Sequence, residues 1–247
     1  MQEFGSAWIP CVRACGSFDG DTSGYGILWA FHLSKSVNTL HKKRGEKVEN
    51  NSYLLETLKE FGNISGGNAA ASLALLMDTQ VYLSVSKVDK MTQLDLKTND
   101  LRVEEHMISI LLPFDGDMEG MLLFLLNQTF AQTYLKKVMQ RDVCAYQLQE
   151  QELKMLEETA SIMASAFMEG IASYLKYAIR IQQPSITMDM KGSILNEVLT
   201  MAVQDQHQAL RISRSFWVPS CETPNELIFL VKGNSVDKLC ASLEVSR

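Results

Sequence analysis

The helical and strand periodicities of this chain run once and then start again, and a repeated element order confines a chain to folds built from two matching halves. Leu54, Leu58 and Phe61 share one helical face, which predicts a helix running to about Met77. The alternation in QVYLSVSKV (80–88) predicts a strand and LRVEEHMISILLPF (101–114) a second. FDGD reads as a turn, MEGMLLFLL as a buried strand and TFAQTYLKKVM as a helix. Then the order recurs: a long helix at about 150–175, a strand in PSITMDM (184–190), and a helix in SILNEVLTMAV. Strands in HQALRISRSFWV and NELIFLVKG follow, with a closing helix in SVDKLCASL.

Setting Glu60 on Glu158, an offset of 98, brings Gly62 onto Ala160, Asn63 onto Ser161, Gly66 onto Ala164, Gly67 onto Ser165 and Ala74 onto Ala172. Small residues meet small residues, and Ser86 meets Pro184. The expected fold is α+β: helix-plus-strands units, about 53–149 and 150–247, related by a pseudo-twofold. They share one antiparallel sheet flanked by the two long helices, within a single domain spanning 53–247. The small residues also resolve an oddity in LKEFGNISGGNAAASL (58–73), where Gly62, Gly66 and Gly67 interrupt a helical pattern. Each glycine costs about 1 kcal/mol relative to alanine in an exposed helix, so close packing must compensate roughly 3 kcal/mol.

Composition narrows the function classes. A hydrophobic share of 46% supplies a core, and no apolar run is long enough to cross a bilayer, so no membrane insertion is expected. The net charge of -6 leaves no basic footprint for nucleic acid; HKKRGEK (41–47) reads as a solvated linker. Five cysteines, Cys11, Cys15, Cys144, Cys221 and Cys240, with a C-x3-C spacing and no second pair, read as isolated thiols of a cytoplasmic protein. Four scattered histidines offer no metal site. Residues 1–52 lack periodicity and carry a charge of +1 against -7 for the remainder; they read as a poorly ordered leader or extension. SFDGDTSG (17–24) lacks the bidentate glutamate of a calcium loop, and GNISGG lacks the strand and Lys-Ser/Thr of a phosphate loop. Met155, Met163 and Met168 read as core or adaptable surface.

At 100° per residue, Glu56, Glu60 and Asn63 fall within about 60° of arc, opposite Leu58 and Phe61. Gly67, Ala70 and Ala71 continue that exposed face, leaving a carboxylate and a carboxamide above a strip with little side-chain bulk. Taken alone, the pair reads first as ordinary surface on a helix softened for packing.

The whole stretch ETLKEFGNISGGNAAASLALLM, followed by YLSVSKV, resembles the CheC/CheX/FliY family of bacterial chemotaxis phosphatases. That pattern is an Asp or Ser, three residues, Glu, two residues, Asn, then 22 residues and a Pro. Glu60 and Asn63 match; Glu56 stands at the Asp/Ser position and Ser86 at the Pro position. In the second half Glu158 and Pro184 match, whereas Lys154 and Ser161 depart from the pattern. PFDGDMEGMLLFLL and NELIFLVKG are also similar to sheet pieces of the family, so the resemblance covers about 53–247.

The resemblance implies a phosphatase acting on the aspartyl phosphate of a phosphorylated CheY-type response regulator. Mg2+ would sit on that regulator and no cofactor on this chain. It implies that Asn63 orients the attacking water while Glu60 pairs with the regulator's lysine, with Glu56 and Gly67 as partner contacts. Such chemistry asks for positioning and charge stabilisation rather than covalent intermediates. The second set, Glu158, Ser161 and Pro184, is expected to be weak or dead, because a serine hydroxyl is too short to reach where an amide would. The alternatives are a non-catalytic scaffold binding CheD or a flagellar switch component, and a diverged regulatory domain with neither partner.

Overall fold

The computed structural model describes residues 50–92, 104–144, 147–203 and 208–245. The leader expected at 1–52 lies outside them except for its last three residues, which already belong to the first helix. HKKRGEK, SFDGDTSG, Cys11 and Cys15 lie outside them as well.

Helix α1 (Asn50–Met77) places Leu58, Phe61, Ser65, Ala69, Leu73 and Met77 on one buried face at three- and four-residue spacing. Two short strands follow, β1 (Tyr82–Leu83) and β2 (Lys87–Thr92), where the sequence predicts one. The hairpin β3 (His106–Gly116) and β4 (Gly120–Asn127) leads into α2 (Gln128–Met139). The long helix α3 (Glu150–Leu175) is followed by β5 (Ile179–Ile181), β6 (Ser185–Met190) and α4 (Lys191–Val203). A second hairpin, β7 (Gln208–Val218) and β8 (Cys221–Lys232), ends in α5 (Gly233–Val245).

The eight strands form one antiparallel sheet in the order β1-β7-β8-β4-β3-β5, with β2 also on β7 and β6 also on β3. Pairing is reciprocal: strands after α1 pair with the hairpin that follows α3, and strands after α3 pair with the hairpin that follows α1. The register repeats too. Lys87 opposes Ser213 as Ser185 opposes Leu111, and Ser84 N–H donates to Ser215 O (2.9 Å) as Gln182 N–H donates to Pro113 O (2.8 Å).

The strand expected at 101–114 begins at His106, and its turn is displaced. Asp115 and Gly116 complete β3 instead, because Asp115 accepts from Arg180 Nε (3.0 Å) and Gln182 Nε2 (2.7 Å) on the neighbouring β5 segment. These bonds hold the Asp115 carboxyl below its ordinary range. Gly116 has φ 116°, and a Cβ there would lie 2.2 Å from Ala178 O, so the hairpin turns one step later.

Two cores lie on the two faces of the sheet. Even-numbered residues of β4 (Leu122, Phe124, Leu126) enter the larger core beneath α1, α2, α3 and α5. Odd-numbered ones (Met121, Leu123, Leu125) enter a smaller core beneath α4. A strand covered on both sides loses its polar alternation, which is why MLLFLL reads as a continuous apolar run. Met163 and Met168 are buried and Met155 is half-buried against the same core, so these methionines are core residues. Tyr134 of α2 and Thr159 of α3 hydrogen-bond across the helix layer; Thr159 already donates to Met155 O (2.8 Å), so the phenol is the donor. Burial pushes the Tyr134 phenol above its ordinary value.

Asn127 joins sheet to helix. Its Oδ1 caps α2 by accepting from Phe130 N–H (2.7 Å), and its Nδ2 donates to Thr223 O (2.9 Å) and Asn225 Oδ1 (2.9 Å). Asn127→Ala removes a cap and strands buried polar groups. It is expected to cost about 2–3 kcal/mol, read as a lower urea midpoint.

Candidate functional site

Helix α1 lies with its glycines against β7. A Cβ on Gly62 would stand 2.6 Å from Ile212 Cγ2 and 2.7 Å from Ser86 Oγ; one on Gly66 would stand 2.8 Å from Arg214 Cδ. Both positions are therefore small because a strand and a long side chain pass beneath them. Gly67 is different, since a Cβ there would meet nothing within 4 Å. At the α1–α3 crossing Gly170 takes the small role, with Asn68 and Ser65 about its missing Cβ at 3.0 and 3.1 Å.

On the outward side Glu56 and Glu60 are exposed, Asn63 is half-buried and Gly67 is open. Val85, 51% exposed, borders this strip from the β1–β2 link. One expectation fails: Ala70 is buried, not part of the exposed face, whereas Ala71 is exposed. Helix α1 is flanked by both β7 and α3, so its solvent arc is narrower than that of a helix lying on a sheet alone.

The Asn63 carboxamide has a defined orientation. Its Oδ1 accepts from the backbone N–H of Ser86 at 3.0 Å, a donor that fixes which end of the amide is oxygen. The amino end remains for an outside acceptor, and the oxygen keeps a second lone pair. A proline at position 86, which the family pattern calls for, has no N–H and could not make this bond.

Beneath Asn63 lies Arg214, a residue that the sequence reading did not select. Its Nη1 donates to Asn63 O (2.8 Å) and more weakly to Gly62 O (3.5 Å), while Nε and Nη2 donate to Ser84 O (2.8 and 2.5 Å). The single strand expected at 80–88 breaks at residues 84–86 because side chains take over there: Arg214 claims Ser84 O and Asn63 claims Ser86 N–H. Arg214 is detectable in sequence. The row Leu210, Ile212, Arg214, Phe216, Val218 alternates into the core, and the arginine stands where an apolar residue belongs.

The second set is assembled differently. Glu158 and Lys154 are exposed, and Ser161 and Pro184 are half-buried. Ser161 Oγ donates to Glu157 O (2.8 Å), so its hydroxyl is spent within its own helix. The strand register puts Leu112 where the first half has Arg214. Among the described residues no three His, Cys, Asp or Glu side chains gather to hold a metal, and no helix is long and apolar enough to cross a membrane. Cys144, Cys221 and Cys240 are not joined in disulfides.

No family model matches the sequence. The chain is 23% identical over 197 residues to the CheY-P phosphatase CheC of Bacillus subtilis, covering 78% of this chain and 94% of that protein. Among solved structures, Thermotoga maritima FliY matches with a TM-score of 0.60 at 14% identity, over 79% of this chain and 98% of that one. The FliM middle domain from H. pylori matches with a TM-score of 0.52 at 10% identity, over 77% of this chain and 98% of that one. The sequence likeness to that CheC runs along most of both chains, and the fold is of the FliY kind.

Proposed function

We propose that the chain hydrolyses the aspartyl phosphate of a CheY-type response regulator, with Glu60 and Asn63 as the working pair and Glu158, Ser161 and Pro184 idle. The observation that carries this reading is an exposed carboxylate and an orientated carboxamide, three residues apart, beside the unobstructed backbone of Gly67. Two other points support it: the likeness to a CheY-P phosphatase, and Glu60 and Asn63 standing at the Glu and Asn positions of the motif that the sequence resembles.

Glu60 gains a charge-assisted hydrogen bond to the regulator's lysine, which seats the α1 face over the phosphorylated site. Glu56 and Gly67 contact the regulator around it, Gly67 by letting a loop approach the helix backbone. Asn63 then holds a water in line with the bond to be broken. Water oxygen attacks phosphorus, the aspartyl oxygen departs as carboxylate, and the water protons pass to phosphate and solvent. Mg2+ held by the regulator neutralises the phosphoryl oxygens, so this chain supplies geometry and no metal ligands.

The test mixes the protein with Mg2+ and a CheY-type regulator charged with labelled acetyl phosphate, and follows loss of label. Accelerated loss, unchanged in Ser161→Ala, is the expected result. Stable binding without accelerated loss supports a second reading, a scaffold for CheD or a flagellar switch component. That reading draws on the departures from the motif at Ser86 and Ser161.

A further inference from the structure

We propose that Arg214 is a positioning residue for the Asn63 carboxamide: one buried guanidinium fixes both the helix that carries the amide and the link that holds its oxygen. Three observations converge. First, Arg214 bonds Asn63 O on α1 and Ser84 O in the β1–β2 link, and Ser86, two residues along that link, supplies the N–H that binds Asn63 Oδ1. The bracket closes on itself, so the separation between Ser86 N and Asn63 Oδ1 depends on where Arg214 holds its two ends. Second, Gly66 makes room for the arginine stem, since a Cβ there would stand 2.8 Å from Arg214 Cδ.

Third, the molecule contains its own comparison. In the half with the serine in place of the amide, the equivalents of Arg214 and Gly66 are Leu112 and Ala164, both fully buried in the core. Leucine there shows that an apolar side chain fits this kind of position in the sheet. A buried arginine is costly to desolvate and is satisfied here by carbonyl oxygens. It is kept in the half that carries the Glu–Asn pair, together with the glycine that admits it. Its planar fork reaches two backbone segments at once, which a lysine ammonium on a flexible stem does not reproduce.

The consequence for hydrolysis rests on the phosphatase reading above; the consequence for amide orientation does not. The experiment therefore measures both in the full chain, using Arg214→Leu, which copies the second half, and Arg214→Lys. Backbone hydrogen exchange at Ser86 reports the bond to Asn63 Oδ1. It is expected to be roughly tenfold faster in Arg214→Leu, as in Asn63→Ala, about what one lost hydrogen bond gives. With charged regulator, kcat is expected to fall roughly 100-fold while KM stays within about twofold, because Glu60 and Gly67 still meet the regulator. Gly66→Ala, which pushes on the arginine stem, is expected to change both readouts in the same direction, and its effect should vanish in the Arg214→Leu background.

Unchanged Ser86 exchange in Arg214→Leu overturns the proposal, as does a rise in KM with kcat intact. If Arg214→Leu does not fold, Arg214→Lys decides by the same two readouts. A wild-type protein that leaves the regulator's phosphate untouched defeats the phosphatase reading, yet Ser86 exchange still decides what Arg214 does.

Discussion

Asn63→Ala is expected to lower kcat for release of phosphate from a charged CheY-type regulator by roughly 10²- to 10³-fold, the range seen when one preorganised polar group is removed from a reaction centre. The loss should fall on kcat, since Glu56, Glu60 and Gly67, which would meet the regulator, remain in place. A methyl group on α1 reaches neither the water nor the phosphoryl oxygens. Folding is expected to survive, because alanine is the better helix former and the Ser86 N–H loses one hydrogen bond, a net of about 1 kcal/mol or less. Single-turnover loss of label with excess protein separates binding from chemistry. Undiminished turnover in this variant would remove Asn63 from the reaction and, with it, the assignment of the first site.

The largest effect on stability belongs to Phe229→Ala, expected to cost about 3–5 kcal/mol. Phe229 is fully buried on β8, where its ring stacks on Phe114 of β3 (centroids 5.3 Å apart, planes at 10°) and leans on Phe167 of α3 at 5.2 Å. Truncation therefore opens a void between the sheet and the helix layer, walled by two rings whose own neighbours hold them apart. Urea unfolding should show the midpoint falling with the slope little changed. Leu75→Ala, at a side chain 76% exposed, is the matching control and should shift stability by less than about 0.5 kcal/mol. A Phe229→Ala loss as small as that control would mean that the layer closes over the gap.

The fold was legible where one period dominated. MLLFLL reads as a strand because both of its faces are covered, and the 150–175 helix because Leu156, Met163, Phe167 and Ile171 repeat at helical spacing. Gly62, Gly66 and Gly67 announced close packing but not its object: two face β7 and one faces solvent, a division set by which strand lies underneath. Ala70 is buried for a related reason, since helical angles alone do not reveal that a second helix covers part of the arc. The alternation at 80–88 gives no sign of the break because the interruption is made by side chains 20 or more positions away, Asn63 on one side and Arg214 on the other. Of the site itself, Glu60 and Asn63 could be chosen from spacing and motif. Arg214 could not be chosen by a search for surface chemistry, because it lies in a core row and acts from below.

The crossed strand pairing has a consequence for how the protein comes into being. Asn63 is held by Arg214, 151 positions later in the chain, and α1 rests on a strand made only after the whole first half has left the ribosome. A nascent chain that stops short of β7 has the motif yet not the bracket that orients it. Competence of the first site thus arrives with the completion of the second half, so an interrupted translation product would carry the helix without a finished site.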